Sequence, residues 1–319
     1  MEMNRKEFLK TLGVTGTAFA ISGCRPSINR DSGTLDVSTQ SEKKEGSVDL
    51  VAVVGGEPDV LFRKAIDELG GMGRFVQKGQ KVAIKPNMAW DRAPEFGANT
   101  NPILVAEMVK QALAAGASQV VVFDNTCDDM QRSYKTSGIE RAALDAGAKV
   151  LPGNDERYYR EAELPQGVEL KSTKIHEALF DCDVWFNVPV LKHHRGAQMT
   201  IAMKNYMGIV WDRRIFHSTD LQQCIADVCT WPKKPVLNVV DAYRIMKQNG
   251  PQGKSEADAV VAKALIASTD IVAVDTASTK LAEQFTNIPL EKVEHITAGE
   301  QLKLGTTNID SLNVRRVKV

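Results

Sequence analysis

Between Lys192 and His217 the sequence carries Lys192, Arg195, Lys204, Arg213 and Arg214 against a single acid, Asp212, a local net charge of +4. His193, His194 and His217, three of the five histidines, lie in the same stretch. A positive field of this kind, set in a concave site, concentrates anions. Thr200 and Lys204 are four residues apart, so they share a face if 199–207 is helical. A hydroxyl beside an ammonium suits a carboxylate or phosphate oxygen. Met199, Ile201, Met203, Met207, Ile209, Val210 and Trp211 make the stretch too apolar for a solvated basic face. Histidine suits proton transfer near neutral pH, which makes His194 and His217 the candidate acid/base groups, with Asp227 or Asp241 to orient them.

Further polar residues fall where apolar runs stop. The run 81–84 leads into Lys85-Pro86-Asn87, and 118–123 leads into Asp124-Asn125-Thr126. The run 184–190 carries Asn187 and continues to Lys192, while 236–240 ends at Asp241. In open parallel sheets, ligands bind outside the carboxyl ends of the strands. Lys85, Asn87, Asp124, Lys192, Thr200, Lys204 and Asn205 are therefore the expected ligand-binding residues of one crevice. His194 and His217 with Asp124, Asp227 or Asp241 are also a candidate metal set, although no i, i+4 histidine pair and no H-E-x-x-H string supports it. Asp227, among Ile225, Ala226 and Val228, reads either as the partner of a cation or as a perturbed acid. Gly70-Gly71-Met72-Gly73 follows a helical pattern rather than a strand and fails the context of a dinucleotide loop. Gly250-Pro251-Gln252-Gly253 reads as a turn or loop near Asp241.

The elements that must position these groups alternate. Residues 48–54 read as a buried strand, 59–69 as a helix closed by Gly70-Gly71, and 81–84 as a second strand. Asn101-Pro102 opens a helix to 115, with Gly116 past its end. Strands at 118–123 and 149–151 flank a helix at 139–146. Strands at 184–190, 236–240 and 264–268 then alternate with helices at 220–228 and 272–284. The expected fold is α/β, a mostly parallel sheet covered by helices on both faces. Residues 152–183 read as a small irregular insertion that holds either a small hairpin or a subdomain.

The chain has 319 residues, 40 basic and 40 acidic, and is 43% hydrophobic. That is too apolar for global disorder and long enough to fold without disulfides. A net charge of zero argues against nucleic acid as the main partner. No run of about 18 apolar residues occurs, so no transmembrane helix is expected. Arg5, Lys6 and Lys10 precede an apolar stretch at 12–23, the pattern of a secretory leader. Asn4-Arg5-Lys6-Glu7-Phe8-Leu9-Lys10 resembles a twin-arginine export signal, with Lys6 in place of the second arginine. Ile21-Ser22-Gly23-Cys24 resembles a bacterial lipobox. Residues 1–24 are thus read as an export leader with Cys24 as the lipidation site, 25–47 as a flexible tether, and 48–319 as a single domain. The leader holds three basic and two acidic residues, which leaves the rest of the chain at −1. A lipid plus a tether describes an exported protein anchored on the periplasmic or cell-surface side of a membrane without spanning it. Cys127, Cys182, Cys224 and Cys229 contain no C-x-x-C and read as small buried apolar residues.

From about Val51 to Leu281 the chain resembles a widespread prokaryotic family known as domain of unknown function 362. The resemblance rests on Lys85-Pro86-Asn87, on the run from Val188 to His194, and on the run from Thr200 to Gly208. It extends to His217, Ile225-Ala226-Asp227, Val239-Val240-Asp241-Ala242, Gly250-Pro251, Ser268-Thr269-Asp270 and Asp275. Some members carry a ferredoxin-like cysteine cluster, which is lacking here, so the resemblance implies a site but neither iron–sulfur chemistry nor a reaction. The cofactor stays open. In one reading the protein is an exported enzyme for a small anionic molecule, with Lys85, Lys192 and Lys204 holding a carboxylate or phosphate. In the other it is a tethered solute-binding or carrier protein, or a metal- or redox-associated accessory protein, built on the same cations. The enzyme reading requires a histidine and a carboxylate within about 3.2 Å of each other in a cleft. The binding reading requires cations alone around an open pocket.

Overall fold

Strand β1 (Leu50–Val54) is shielded from water along its whole length because its alternate side chains serve two cores. Leu50, Ala52 and Val54 join one hydrophobic cluster, Val51 and Val53 the other. The computed structural model describes residues 46–319. The leader, Cys24 and the tether as far as residue 45 lie outside the described residues.

After β1 come α1 (Pro58–Glu68), β2 (Lys81–Pro86), α2 (Pro102–Ala114), β3 (Gln119–Val122), α3 (Met130–Thr136), α4 (Ile139–Asp145) and β4 (Lys149–Val150). The middle of the chain forms β5 (Tyr159–Glu163), β6 (Ser172–His176), α5 (Ala178–Asp181), β7 (Val184–Val188), β8 (Val190–His194), β9 (Gln198–Thr200), α6 (Ala202–Asn205), α7 (Arg214–Ser218) and α8 (Leu221–Val228). The last part holds β10 (Leu237–Met246), β11 (Ala259–Ser268), α9 (Ile271–Ala282), α10 (Glu294–Gln301) and β12 (Val314–Lys318).

The main sheet runs β12-β1-β11-β10-β7-β2-β3-β4, with β8 paired to β10 and β9 paired to β8. Strands β10, β7, β2, β3 and β4 are mutually parallel. Strand β11 is antiparallel to both β1 and β10. The expected α/β architecture with a mostly parallel sheet is therefore the observed one. One face is covered by α1, α2 and α4, which bury Leu61, Phe62, Leu104, Val105, Met108 and Ile139. The other carries α6, α8, α9 and α10, around Met203, Ile225, Val272, Ala277 and Ile296. The helix starts follow local chemistry. Asn101 accepts the Ile103 N–H at 2.9 Å ahead of Pro102, and Asp270 accepts the Ala273 N–H at 2.8 Å.

Two sequence expectations, a helix over 199–207 and a buried Cys127, need correction. The stretch 199–207 is not one helix: it crosses from β9 into the single-turn α6, so Thr200 and Lys204 share no helix face. The reason is that Ile201 is extended, and Asp275 of α9 collects the chain there, accepting the N–H groups of Ala202 at 2.7 Å and Met203 at 2.9 Å. The insertion at 152–183, for which a small hairpin is one expectation, contains an antiparallel pair, β5 with β6. Cys182, Cys224 and Cys229 are buried, but Cys127 is exposed.

Asp275 is completely buried, and its loss leaves two backbone donors without partners. Each such orphan costs about 1–3 kcal/mol. Asp275→Ala is expected to lower the stability by about 2–5 kcal/mol, read as a reduced urea midpoint.

Candidate functional site

The carboxyl ends of β2, β3 and β8 open into a cavity of about 750 Å³. Its floor is a buried polar network. Near the end of strand β2 stands Lys85, whose Nζ lies 2.9 Å from Asp124 Oδ1, two residues beyond β3. Lys85 also donates to Asn205 Oδ1 at 2.8 Å. Asn205, the last residue of α6, donates in turn to Asn187 Oδ1 at 2.8 Å. Asp124 Oδ2 accepts the Met88 N–H at 2.8 Å. Lys85 and Asp124 are each 1% exposed, so burial pushes the lysine pKa down and the aspartate pKa up, while each charge holds the other in place.

Glycine is required at 208 by this pair. A side chain there would run into Asp124 Oδ1 and Lys85 Nζ, and the Gly208 carbonyl accepts the Asn125 N–H at 3.0 Å.

Two further lysines face the cavity without a carboxylate. Lys192, on β8, donates to the Ala98 carbonyl, lies 3.5 Å from Asn87 Oδ1, and has its Nζ 5.7 Å from the centre of the Trp90 ring. Burial, reinforced by Lys204, lowers its pKa to about 7. Lys204, on α6, has among the described residues only the Met207 thioether, 3.6 Å away, within hydrogen-bonding reach. Burial, reinforced by Arg213 and Lys85, lowers its pKa to about 8. Thr200 Oγ1 is buried at the same wall and has no partner among the described residues.

The histidines have different roles from those expected. His194 Nδ1 accepts the N–H groups of Gly196 at 3.1 Å and Ala197 at 3.0 Å. The ring proton is thereby assigned to Nε2, and burial beside Lys204 and Lys192 holds the pKa down to about 2. His194 is thus a neutral donor, not an acid/base group for neutral solution. His217 sits on the rim, exposed, with its pKa lowered by partial burial and by Lys204 and Arg213.

Lys85, Asn87, Asp124, Lys192, His194, Thr200, Lys204, Asn205 and His217 all line the cavity, but Asp227 and Asp241 do not. Asp227 is taken up by backbone, accepting the N–H groups of Glu169 at 2.7 Å and Leu170 at 2.8 Å and the Gln223 amide at 2.8 Å. It pins the insertion to α8 and orients no histidine. Asp241 accepts the N–H groups of Asn101 at 2.7 Å and Tyr243 at 2.9 Å, and burial raises its pKa to about 6. No hydrogen bond joins His194 or His217 to a carboxylate among the described residues, and no group of three or more histidine, cysteine or acidic residues there is arranged to hold a metal ion.

Sequence reasoning missed Trp90, Cys127 and the loop residue Pro251, all on the cavity wall. Arg213 was seen only as part of a basic run. It is a clasp, donating to the carbonyls of Asn125 at 3.0 Å and Thr126 at 2.6 Å and lying 3.2 Å from Cys127 Sγ. The position of Cys127 just after the Asp124-Asn125-Thr126 strand end was the signal available for it.

Fold and site together define an α/β protein with a cationic crevice at the carboxyl edge of its sheet. The model of the domain of unknown function DUF362 matches residues 82–280, more than half of the chain, and the protein belongs to that family. A thylakoid-associated protein of Synechocystis is 23% identical over 229 residues, which cover 70% of this chain and 69% of that protein. Two solved structures are more remote. A Thermotoga maritima protein has 11% identity and a TM-score of 0.46 over 72% of this chain and 59% of its own. The lactate racemase apoprotein of Thermoanaerobacterium thermosaccharolyticum has 14% identity and a TM-score of 0.45 over 73% of this chain and 56% of its own.

Removing one member of a buried ion pair costs about 3–5 kcal/mol. Asp124→Ala is expected to destabilise by that amount. Gly208→Ala is expected to destabilise comparably by forcing the pair apart, with both effects read from denaturant unfolding.

Proposed function

We propose that the protein captures a small anion bearing a carboxylate or phosphate in this crevice. The observation that carries the reading is the pair Lys192, buried, and Lys204, half-buried, both without a carboxylate partner among the described residues. An uncompensated buried ammonium is costly, and a bound anion removes that cost. Lys85, Lys192, Lys204, Arg213 and Arg214 face two carboxylates, Asp124 and Asp212, across the lining. The first of these carboxylates is already committed to Lys85. His194 Nε2–H and Thr200 Oγ1 supply neutral hydrogen bonds beside the cations. This arrangement favours capture by cations over histidine-centred acid/base chemistry, because neither histidine is backed by a carboxylate.

Oxalate and inorganic phosphate are suitable probes, with affinity read by calorimetry. Binding requires protonated lysines, and a bound anion favours the protonated form. Affinity is therefore expected to be full below about pH 7 and to fall as the pH rises through 8, by up to about tenfold per pH unit for each lysine. Lys85 and Asp124, Cys127, Arg213 and His217 also face these ammonium groups, and His194 stays neutral over the range. Lys192→Met is expected to weaken binding by at least about tenfold, the worth of one charge-assisted hydrogen bond. Unchanged affinity in that variant, or affinity flat from pH 6 to about 9, counts against the site.

The sequence supports a second element of this reading, a chain exported and held at a membrane by a lipid on Cys24. Among the described residues no helix is long and apolar enough to cross a membrane. Mass spectrometry of the protein from its host is expected to find an acylated N-terminal Cys24, and Cys24→Ala is expected to release the protein from the membrane fraction. An unprocessed N-terminus would overturn the lipoprotein proposal.

A further inference from the structure

The three lysines of the crevice are not equivalent. Lys85 is held by Asp124 and Asn205. Lys192 is held by the Ala98 carbonyl. The Lys204 amine has no oxygen acceptor among the described residues, and the backbone on either side of it is held in place. Asp275 fixes the two residues that open α6 ahead of it, and Asn205, which follows it, is built into the Lys85 network. The result is a rigidly mounted amine directed into a cavity of about 750 Å³.

We propose that Lys204 forms an imine with the carbonyl carbon of a 2-oxo carboxylate whose carboxylate group lies against Lys192. The inference rests on the anion-capture reading above and adds to it a bond and a substrate class. A lysine in a desolvated site beside other cationic groups is the recognised environment of an amine nucleophile. Lys204 is half-buried, its amine desolvated and with Lys85 and Arg213 as its cationic neighbours. With its pKa lowered to about 8, roughly one amine in ten is neutral and able to attack at pH 7. Thr200 Oγ1, unpartnered in the same wall, offers a hydrogen bond to the carbonyl oxygen as it leaves.

The step balances without a further reactant. The nitrogen lone pair bonds to the carbonyl carbon, and the carbonyl oxygen takes two protons from the nitrogen and departs as water. Counted from the ammonium form, Lys204–NH3+ and the carbonyl give the iminium C=NH+ and one water, so the site keeps its charge. A phosphate ligand has no carbonyl carbon and forms only ion pairs, which lets one experiment separate the two ligand classes.

The test uses the wild-type protein with pyruvate as the probe, reduced with cyanoborohydride and mapped by peptide mass spectrometry. The expected result is one reduced pyruvate adduct, on Lys204, suppressed by excess oxalate. Modification of the exposed Lys78 sets the background, and Lys204→Arg is expected to fall to that level. Because the wild-type map locates the adduct directly, the outcome does not depend on the variant folding. Pyruvate binding by calorimetry with no adduct above background overturns the imine and leaves anion capture standing. An adduct on Lys192 in place of Lys204 overturns the assignment. Failure of pyruvate, oxalate and phosphate alike to bind overturns both.

Discussion

Lys85 and Asp124 face each other 2.9 Å apart with almost no access to water, and the geometry around them follows from keeping that pair intact. Two charges removed from water are stable together only when the remaining donors and acceptors are also satisfied. Asn205, Asn187 and the Met88 N–H meet that need, which brings β2, β3, β7 and α6 to one point. The chain at Gly208 must then pass so close that no side chain fits. The ion pair is thus a structural floor. Lys192 and Lys204, which stand on that floor with their charges unbalanced, are the groups left for a ligand.

This division of labour explains why three lysines chosen by the same sequence argument have different characters. All three lie beside strand ends or just beyond them; Lys85 and Lys192 are buried and Lys204 is half-buried. What differs is the partner, and the partner is decided by contacts between residues more than a hundred positions apart, such as Lys85 with Asn205. Spacing along the chain carries no information about such contacts.

The sheet and the site were legible to different depths. Apolar runs bounded by glycine and proline marked β1, β2, β3, β7, α1 and α2 closely, because those elements are specified by local pattern. The strand-end rule found Lys85, Asp124 and Lys192, since a parallel sheet fixes where its carboxyl edge must be. The stretch from β9 to α6 was misread because its apolar spacing suits a helix, while Asp275, far away in sequence, stops the helix short. Asp227 misled for a related reason. Its apolar neighbours correctly indicated burial, but its partners are backbone N–H groups of residues 169 and 170, which leave no trace in side-chain type. Trp90, Cys127 and Pro251 come from irregular segments, where neither period nor propensity indicates direction.

Strand β1 runs antiparallel to β11 and β11 runs antiparallel to β10, so β1 points the same way as β10, β7 and β2. Its first residues therefore enter at the rim of the sheet opposite the crevice, where Asp49 and Asn313 clasp each other through hydrogen bonds of 3.0 and 2.8 Å. A pull on the chain at residue 46 therefore enters the fold at the rim away from the crevice. A tug from that side loads β1 lengthwise between β11 and β12, along the direction in which a ladder of backbone hydrogen bonds must shear together rather than unzip one rung at a time.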